Sequence, residues 1–412
     1  MKSKQLITML VLLVATFAVY LVFSPADETS LSGSGDVGEE PLSELQIGDI
    51  AAIVITTSEA KKTTSLRIEK HGGKWVVAQR GGYPADNSRI EGLVKNLVAM
   101  KTLRRVPAGK SQLSRLNLGE PGSGKTAATR IELLATAGKV IKTIHLGKVL
   151  NAPGGEGGGS ALGGGDFPDR RFVMLDAKPA SAAVVDQTFS NANAVPADWI
   201  NSKDFFDVKN VLTLAVNYTG TEVTNSWELA RENTATNWTL TAAKEGEGLD
   251  QNKLSSLGQP FQSPTFKDVL IGDAAAISTN ATRIILGTED HFTYTITLGE
   301  PNGGGEFPMQ LAVTAKLPEK RVPAKDEKPE AATILDLQWL NQQRQLKIRL
   351  ALHQSFSGEH WTFLVPSYTV ADLLKKRSDL MTLKPALPPL GPLLPVPPGL
   401  PQINPKSVPN NP

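Results

Sequence analysis

Residues 119–126 read GEPGSGKT, a string whose residue types and spacing suggest phosphate chemistry. It fits the pattern G-x-x-x-x-G-K-[ST], with Gly119, Gly124, Lys125 and Thr126 in register. In a phosphate-binding loop of this kind, backbone N–H groups surround the phosphates, the lysine reaches the terminal phosphates and the hydroxyl binds Mg²⁺. The string therefore raises the question of nucleotide binding.

The sequence around this string does not suit a phosphate loop. Such a loop follows a buried strand and opens a helix. The preceding residues, SQLSRLNL (Ser111–Leu118), carry polar side chains where a central parallel strand needs a continuous apolar run. The segment FVMLD, which ends at Asp176, imitates the acidic strand of nucleotide-binding proteins. Its meaning depends on the organisation of the whole chain.

Several motifs occur twice along the chain in the same order. ATRI occurs at 128–131 and 281–284, IHLGK at 144–148 is matched by ITLGE at 296–300, and GGGDFP at 163–168 by GGGEFP at 303–308. Upstream, Trp75 and Trp238 each precede a similar string, DNSRI from Asp86 and DQNKL from Asp250. Recurrence in the same order, at offsets of 140 to 164 residues, predicts an internal duplication.

The duplication argues against the phosphate loop. The counterpart of GEPGSGKT is GDAAAIST at 272–279, which has no lysine and no second glycine, and we align FVMLD with WTFLVPS, which has no acid at the equivalent point. The counterpart of AATRIELLATAG alternates apolar and polar residues like a β-hairpin, so we expect a strand here and not a helix. We interpret GEPGSGKT as a turn and predict no cofactor. Nucleotide binding through Gly119, Gly124, Lys125 and Thr126 is the remote alternative.

Each copy predicts an α+β unit. Ile53–Ile55 and Leu66–Ile68 alternate with polar neighbours, and HGG (His71–Gly73) turns the chain into Lys74–Val77. Asp86 is a good N-cap for an amphipathic helix through Ile90, Leu93, Val94, Leu97 and Val98. In the second copy Gly258 and Pro260 weaken the helix, and Thr282–Leu286 with Phe292–Leu298 predict a hairpin. We expect each copy to close with a strand and a helix, the first running towards residue 204 and the second within 360–381.

The N-terminus carries an apolar segment long enough to span a membrane. Leu6 to Phe23 contains few polar residues, Lys2 and Lys4 precede it, and Asp27 and Glu28 follow. This charge asymmetry predicts a cytoplasmic N-terminus and an exported body. No clean cleavage site follows, so we favour a retained single-pass anchor in the inner (cytoplasmic) membrane, with the body on the periplasmic side; a cleaved signal is the alternative.

The predicted organisation follows from these segments. Residues 1–24 form the anchor, 25–45 a spacer of small and acidic residues, 46–207 the first repeat unit and 208–383 the second. The second unit carries a charged, proline-rich insertion near 316–349, whose first part should be an exposed loop. Residues 384–412 form a proline-rich tail that favours polyproline II and serves as a spacer or a docking ligand.

Composition excludes several kinds of chemistry. There are no cysteines, so disulfides, thiolate metal sites and cysteine nucleophiles are excluded. The net charge of +2 comes from interspersed basic and acidic residues, which does not suit nucleic-acid binding. The histidines show no metal-ligand spacing, and the serine-hydrolase pattern G-x-S-x-G is not present. We assign no catalytic or metal-binding residues, interpreting Asp86 and Asp250 as helix caps and Trp75 and Trp238 as core residues.

The order of these motifs resembles a bacterial family. An N-terminal anchor, strands ending in GKWVV, YPAD before a helix, then LGEP, LGK and a strand FVML are similar to domain of unknown function 4340, over most of residues 47–380. Members of that family are often encoded beside ABC-type transport systems like those associated with gliding motility. The resemblance implies an accessory role in the cell envelope and supplies no catalytic residues.

Three functional hypotheses remain open at this stage. The favoured one is a membrane-anchored extracytoplasmic interaction protein, not an enzyme, whose partners include subunits of an ABC-type transporter or envelope complex. The alternative is an exported binding module for a glycan or another envelope ligand. The third is an enzyme whose site is formed only in space.

The turn interpretation predicts the nucleotide affinity of the chain. We expect the purified full-length protein to show no tight binding of ATP in an equilibrium titration, and Lys125→Ala to leave the result unchanged. Tight ATP binding that Lys125→Ala abolishes would contradict the interpretation.

Overall fold

A computed structural model describes residues 37–382, apart from 60–61, 152–167, 246, 262, 326 and 359. The chain forms two compact units. The first comprises residues up to Phe205 together with Thr265–Ala276 and Trp361–Val365; the second comprises Phe206–Pro264, Ile277–His360 and the residues from Pro366 onward. Within the part that the structure describes, no helix has the length and apolar character needed to cross a membrane. The predicted anchor, 1–24, lies outside the described residues.

The first half of the chain contains nine strands and one α-helix among its described residues. They are β1 (Ala52–Glu59), β2 (Lys62–His71), β3 (Lys74–Val77), β4 (Tyr83–Pro84), α1 (Asn87–Ala99), β5 (Thr102–Arg105), β6 (Thr129–Leu134), β7 (Val140–Asn151), β8 (Pro168–Leu175) and β9 (Ala183–Val185). The hydrogen-bonded order is β4-β3-β2-β1-β6-β7-β8-β9-β5, with antiparallel neighbours.

The second half follows a similar order of elements. They are β10 (Val211–Asn217), β11 (Trp227–Ala230), β12 (Thr239–Leu240), β13 (Asp268–Leu270), β14 (Thr282–Thr288), β15 (Phe292–Leu298), β16 (Glu306–Ala315), α2 (Pro329–Gln354), β17 (Thr362–Pro366) and α3 (Ser367–Val370). In the second unit the antiparallel order is β12-β11-β10-β14-β15-β16. Six strands thus repeat the order β3-β2-β1-β6-β7-β8 of the first unit. The expected α+β fold with antiparallel sheets is confirmed.

The repeated sequence motifs occupy equivalent positions in the two sheets. ATRI begins β6 at Thr129 and β14 at Thr282. Ile131 pairs with Ile144 across β6 and β7, and Ile284 pairs with Ile296 across β14 and β15. All four isoleucines are fully buried. The segment after GEPGSGKT is therefore a strand, as the alternation of its counterpart predicted.

Helix α1 forms for the reasons that its sequence suggests. Asp86 is its N-cap, and its side chain accepts hydrogen bonds from the N–H groups of Ser88 and Arg89. Four apolar residues of one face are buried: Ile90, Leu93, Val94 and Leu97. In the second half the corresponding segment, Gln251–Gly258, is only a 3-10 helix, which Asp250 caps through the N–H of Asn252. Both aspartates are caps, as predicted.

An aromatic cluster joins β13 and β17 to the rest of the first unit. The rings of Phe266 and Phe363 meet the Tyr83 ring edge-on, with centroids 5.7 and 5.9 Å away. Arg80 forms a bidentate ion pair with Asp268, in which Nε and Nη2 donate to the two carboxylate oxygens at 2.6 and 2.7 Å. These contacts explain why two short segments from late in the sequence, 265–276 and 361–365, belong to the first unit. The units therefore differ from the contiguous ranges 46–207 and 208–383 expected from the repeats.

Two sequence interpretations of the closing segments are wrong. No α-helix forms between 176 and 204; β9 and a 3-10 helix at Pro196–Trp199 occupy that stretch, because Pro179 and Pro196 interrupt any helical run. The aligned counterpart of FVMLD was also misplaced. By strand order β8 corresponds to β16, Glu306–Ala315, and not to the segment around β17.

The insertion near 316–349 is a loop followed by a long helix. The described residues of its charged first part have no regular structure up to Lys328 and are mostly exposed, as predicted. Its second part is α2, which the sequence analysis did not anticipate. The glycine-rich stretch 152–167 and the tail 384–412 lie outside the described residues.

The packing around β7 predicts an asymmetric response to two glycine substitutions. A Cβ on Gly147 would lie 2.4 Å from the carbonyl oxygen of Leu116 and 2.9 Å from Cδ2 of Leu118, whereas a Cβ on Gly92 in α1 would contact nothing within 4 Å. We expect Gly147→Ala to lower the free energy of unfolding by about 1–3 kcal/mol. Gly92→Ala is the matched control and should stabilise, because alanine favours a helix over glycine by about 1 kcal/mol. Urea denaturation of the full-length protein measures both, and equal effects would contradict this packing.

Candidate functional site

The GEPGSGKT string forms a short turn between a 3-10 helix and a strand. Lys110–Leu116 is a 3-10 helix, Gly124–Thr126 is a single 3-10 turn, and β6 follows. Neither the preceding strand nor the following helix of a phosphate loop is present at this point. Since a phosphate loop depends on that context, Gly119, Gly124, Lys125 and Thr126 are not brought into the arrangement that their spacing suggests.

Three N–H groups of this turn donate hydrogen bonds within the protein. The N–H of Gly119 donates to the carbonyl of Thr126 at 3.0 Å, that of Ser123 to Glu120 at 3.1 Å, and that of Gly122 to Oγ of Ser58 at 2.9 Å. A Cβ on Gly119 would lie 2.6 Å from Oγ of Ser123, so this glycine permits a close internal contact. Gly119 and Gly122 therefore belong to a tight turn with internal hydrogen bonds.

The remaining sequence candidates are dispersed. Asp176 is bound to Lys142 at 3.1 Å and to the N–H of Thr143, and these bonds hold the pKa of its carboxyl below its usual value despite partial burial. Trp75 is half-buried on β3 beneath the ammonium of Lys70, and Trp238 is buried beneath Arg231. Among the described residues, no group of three or more His, Asp or Glu side chains is arranged to hold a metal ion.

The feature that sequence reasoning missed is α2, which is apolar on two opposite sides. One side packs on the second unit through an inner stripe with heptad-like spacing, formed by Trp339, Gln343, Leu346, Leu350 and His353. The last residues of the helix are fastened to the sheet: Nε2 of Gln354 donates to the carbonyl of Val313 at 3.1 Å. Arg349 stacks over the Phe292 ring at 4.7 Å and forms an ion pair with Asp290.

His353 is the most deeply buried of these inner residues, with 2% of its surface exposed. Its Nδ1 is hydrogen-bonded to the hydroxyl of Tyr294 at 2.9 Å, and its Nε2 lies 3.7 Å from Oδ1 of Asp207. Burial lowers the pKa of His353 to about 4, outweighing the raising effect of Asp207. The imidazole is therefore neutral near pH 7. Burial also favours the neutral form of Tyr294, because it raises the pKa of that hydroxyl. These groups hold the helix in place.

The opposite side of α2 is the outer face, which we define by Ile334, Leu337, Leu340, Ile348 and Leu352. These side chains are 60%, 58%, 55%, 57% and 48% exposed, respectively. At 3.6 residues per turn they lie on one side of the helix, over roughly 27 Å of its length. Exposed apolar patches of this kind mark interaction sites. We take the outer face as the candidate functional site.

The side chains that interrupt and border the outer face are mainly amides. Asn341 and Arg344 lie within it, Gln338 and Gln345 lie along one edge, and Lys347 lies along the other. Helices that lie on membrane surfaces instead carry many lysines and arginines beside their apolar face. The composition of the outer face resembles the core of a protein–protein interface, where charged residues are depleted.

Comparison with known proteins gave one match. The sequence profile of the family described as Domain of unknown function (DUF4340) matches residues 75–283, about half of the chain. The matched range begins in β3 and ends in β14, so it contains α1 and β6 to β8 but not α2. No curated protein and no solved structure matches the chain.

The burial of His353 predicts how stability depends on pH. Because its pKa is lower in the folded protein than the ordinary value of about 6.5, its contribution is complete above that pH and is lost as the pH falls towards 4, by on the order of 3 kcal/mol. His353→Gln keeps a hydrogen-bonding group for Tyr294 without a titrating ring. We expect the variant to lose less stability than the wild type between about pH 7 and pH 5, as measured by urea denaturation. Identical pH profiles would show that His353 is not buried in its neutral form.

Proposed function

Because the chain belongs to the family described as Domain of unknown function (DUF4340), which names no activity, we propose its role from its own residues. It is a membrane-anchored, extracytoplasmic accessory protein that binds another protein of an ABC-type transport or envelope complex and carries out no catalysis. The observation that carries the proposal is the outer face of α2. A helix with apolar residues on both sides is ordinarily buried on both sides.

The position of α2 in the fold supports this role. The helix follows β16 and precedes β17, outside the strands whose order is repeated in the two sheets. We propose that these repeated strands arose by tandem duplication and act as a scaffold, whereas α2 is an addition to the second copy. The outer face is not needed to hold α2 in the fold, because the inner stripe and Arg349 already attach the helix.

The occupant of the outer face is best described as an apolar helix or strand of a protein. The five apolar side chains extend over about five turns of helix, which suits a partner element of similar length. The amide borders can exchange hydrogen bonds with a protein backbone at the rim of the contact. A membrane surface is the other possible occupant, and we make it an outcome of the test.

The choice of location and complex rests on the sequence. The apolar segment Leu6–Phe23, with Lys2 and Lys4 before it and Asp27 and Glu28 after it, supports a single-pass anchor with an exported body. The family resemblance supports an ABC-type system, because members are often encoded beside one. From the anchor and the family resemblance together, we propose a partner in the same membrane.

The proposal predicts the effect of two substitutions on partner recovery. The double variant Leu337→Glu/Leu340→Glu places two carboxylates on the outer face and should abolish co-purification of the partner from detergent-solubilised membranes. Both leucines are more than half exposed, so unfolding should change by less than about 0.5 kcal/mol. The matched control is Gln342→Glu, at an exposed position of α2 away from the outer face.

Three results would contradict the proposal. Recovery of no transport or envelope subunit by the wild-type chain would remove the ABC-type assignment. Equal recovery by the double variant and the control would show that the outer face is not the contact. Binding of the wild type to pure lipid vesicles, lost in the double variant, would identify a membrane surface as the occupant.

A further inference from the structure

The second unit also contains an open polar cavity that is independent of α2. Its volume is 480 Å³, within the range of about 300–1,000 Å³ typical of small-molecule sites. Nine residues line it, and seven of them carry polar side chains, among them Asn210, Arg231, Ser255, Ser256 and Asp372. The cavity is formed where the 3-10 helix Gln251–Gly258 faces the start of β10 and the end of β11.

Arg231 is held rigidly at one side of the cavity. Its guanidinium lies 4.4 Å from the centre of the Trp238 ring, its Nε donates to the carbonyl of Val211 at 2.8 Å, and its Nη1 donates to the carbonyl of Thr234 at 3.2 Å. Trp238 is itself fixed, because its N–H and carbonyl both bond to the side chain of Gln251. Both bonds of the guanidinium end on neutral carbonyls, so they do not cancel its positive charge. A fixed cation of this kind suits an anionic oxygen.

Gly258 keeps the face of this guanidinium accessible. A Cβ at that position would lie 3.3 Å from Nη2 and 3.6 Å from Nη1 of Arg231. A side chain there would therefore cover the cation on the cavity side.

The carboxylate and hydroxyls of the cavity present a different chemistry. Asp372 is paired with Lys375 at 2.7 Å and accepts a hydrogen bond from Ser256, so its negative charge is balanced. The hydroxyl of Ser255 donates to the carbonyl of Asn252 at 3.1 Å. Because both serine hydroxyls use their protons within the protein, their oxygens offer lone pairs to a ligand. Ligand O–H groups are the natural partners of such acceptors.

From the positive charge of Arg231 on one side and the hydroxyl acceptors on the other, we propose that the cavity binds a hydroxylated carboxylate of the acidic-sugar class. Its carboxylate is bound by Arg231, and its hydroxyls donate to Ser255 and Ser256. A neutral sugar leaves the cation unpaired, and a simple carboxylate leaves the serine oxygens unpaired, so neither satisfies the whole cavity. This inference does not depend on the outer face of α2.

The test uses glucuronate, glucose and acetate as three probes of the full-length protein in detergent, by isothermal titration calorimetry. We expect glucuronate to bind and the other two to bind at least about tenfold more weakly, since each forfeits one set of hydrogen bonds. Gly258→Ala should weaken glucuronate binding by about tenfold or more, because its methyl group meets the guanidinium. Gly92→Ala, the matched control in α1, should bind like the wild type.

Arg231→Met provides a second variant that retains the aliphatic contact with Trp238 and removes the charge. It should lose the preference for glucuronate over glucose. Absence of glucuronate binding, equal binding of all three probes, or full binding by Gly258→Ala would each overturn the proposal. The outer-face variant Leu337→Glu/Leu340→Glu should bind glucuronate normally, which separates a failure of this site from a failure of the proposed function.

Discussion

The fold depends on the register of one hairpin in each sheet. In the first it is β6 with β7, where Ile131 faces Ile144; in the second it is β14 with β15, where Ile284 faces Ile296. A slip of one residue would turn the buried isoleucine of the displaced strand towards the opposite side of the sheet. The GEPGSGKT turn leads the chain into the first of these hairpins at Thr129, and the N–H groups of Gly119, Gly122 and Ser123 bond within the protein.

Once the two hairpins are formed, the remaining strands pair on both sides of them. An extra element can be inserted in the chain where the repeated strand order ends. Helix α2 enters at such a point, after β16. Its attachment is strong on one side, through buried His353 and the bonds of Arg349 and Gln354. The consequence is a rigid helix that presents its outer face without being able to turn it inward. Preorganisation of that kind lowers the entropy cost of binding a partner.

Much of the scaffold could be predicted from sequence because its signals are local. Asp86 and the apolar spacing after it specify α1, and the alternation of Phe292, Tyr294, Ile296 and Leu298 specifies β15. Comparison of the two copies also predicted the strand after GEPGSGKT, since the residues after its counterpart GDAAAIST alternate like a hairpin.

The candidate site could not be predicted in the same way. In α2 the apolar residues lie on two opposite sides, so they do not produce the single apolar stripe by which an amphipathic helix is recognised. A signal was nevertheless present, because PEAATILDLQWLNQQRQLKIRLALHQ has no glycine and no proline after its first residue, which favours a helix. The packing of Tyr83 with Phe266 and Phe363 was equally invisible, because the contact joins residues far apart in sequence.

The central claim, that the outer face of α2 binds a protein, is tested most directly by photo-crosslinking in intact membranes. A photoreactive residue is placed in turn at 334, 337, 340 and 348, and at 335 and 342 as exposed positions away from the face. The account predicts one discrete protein adduct from the first four positions and none from the other two, a pattern that follows the helical period. Uniform labelling at all six positions, or adducts with lipid alone, would contradict it.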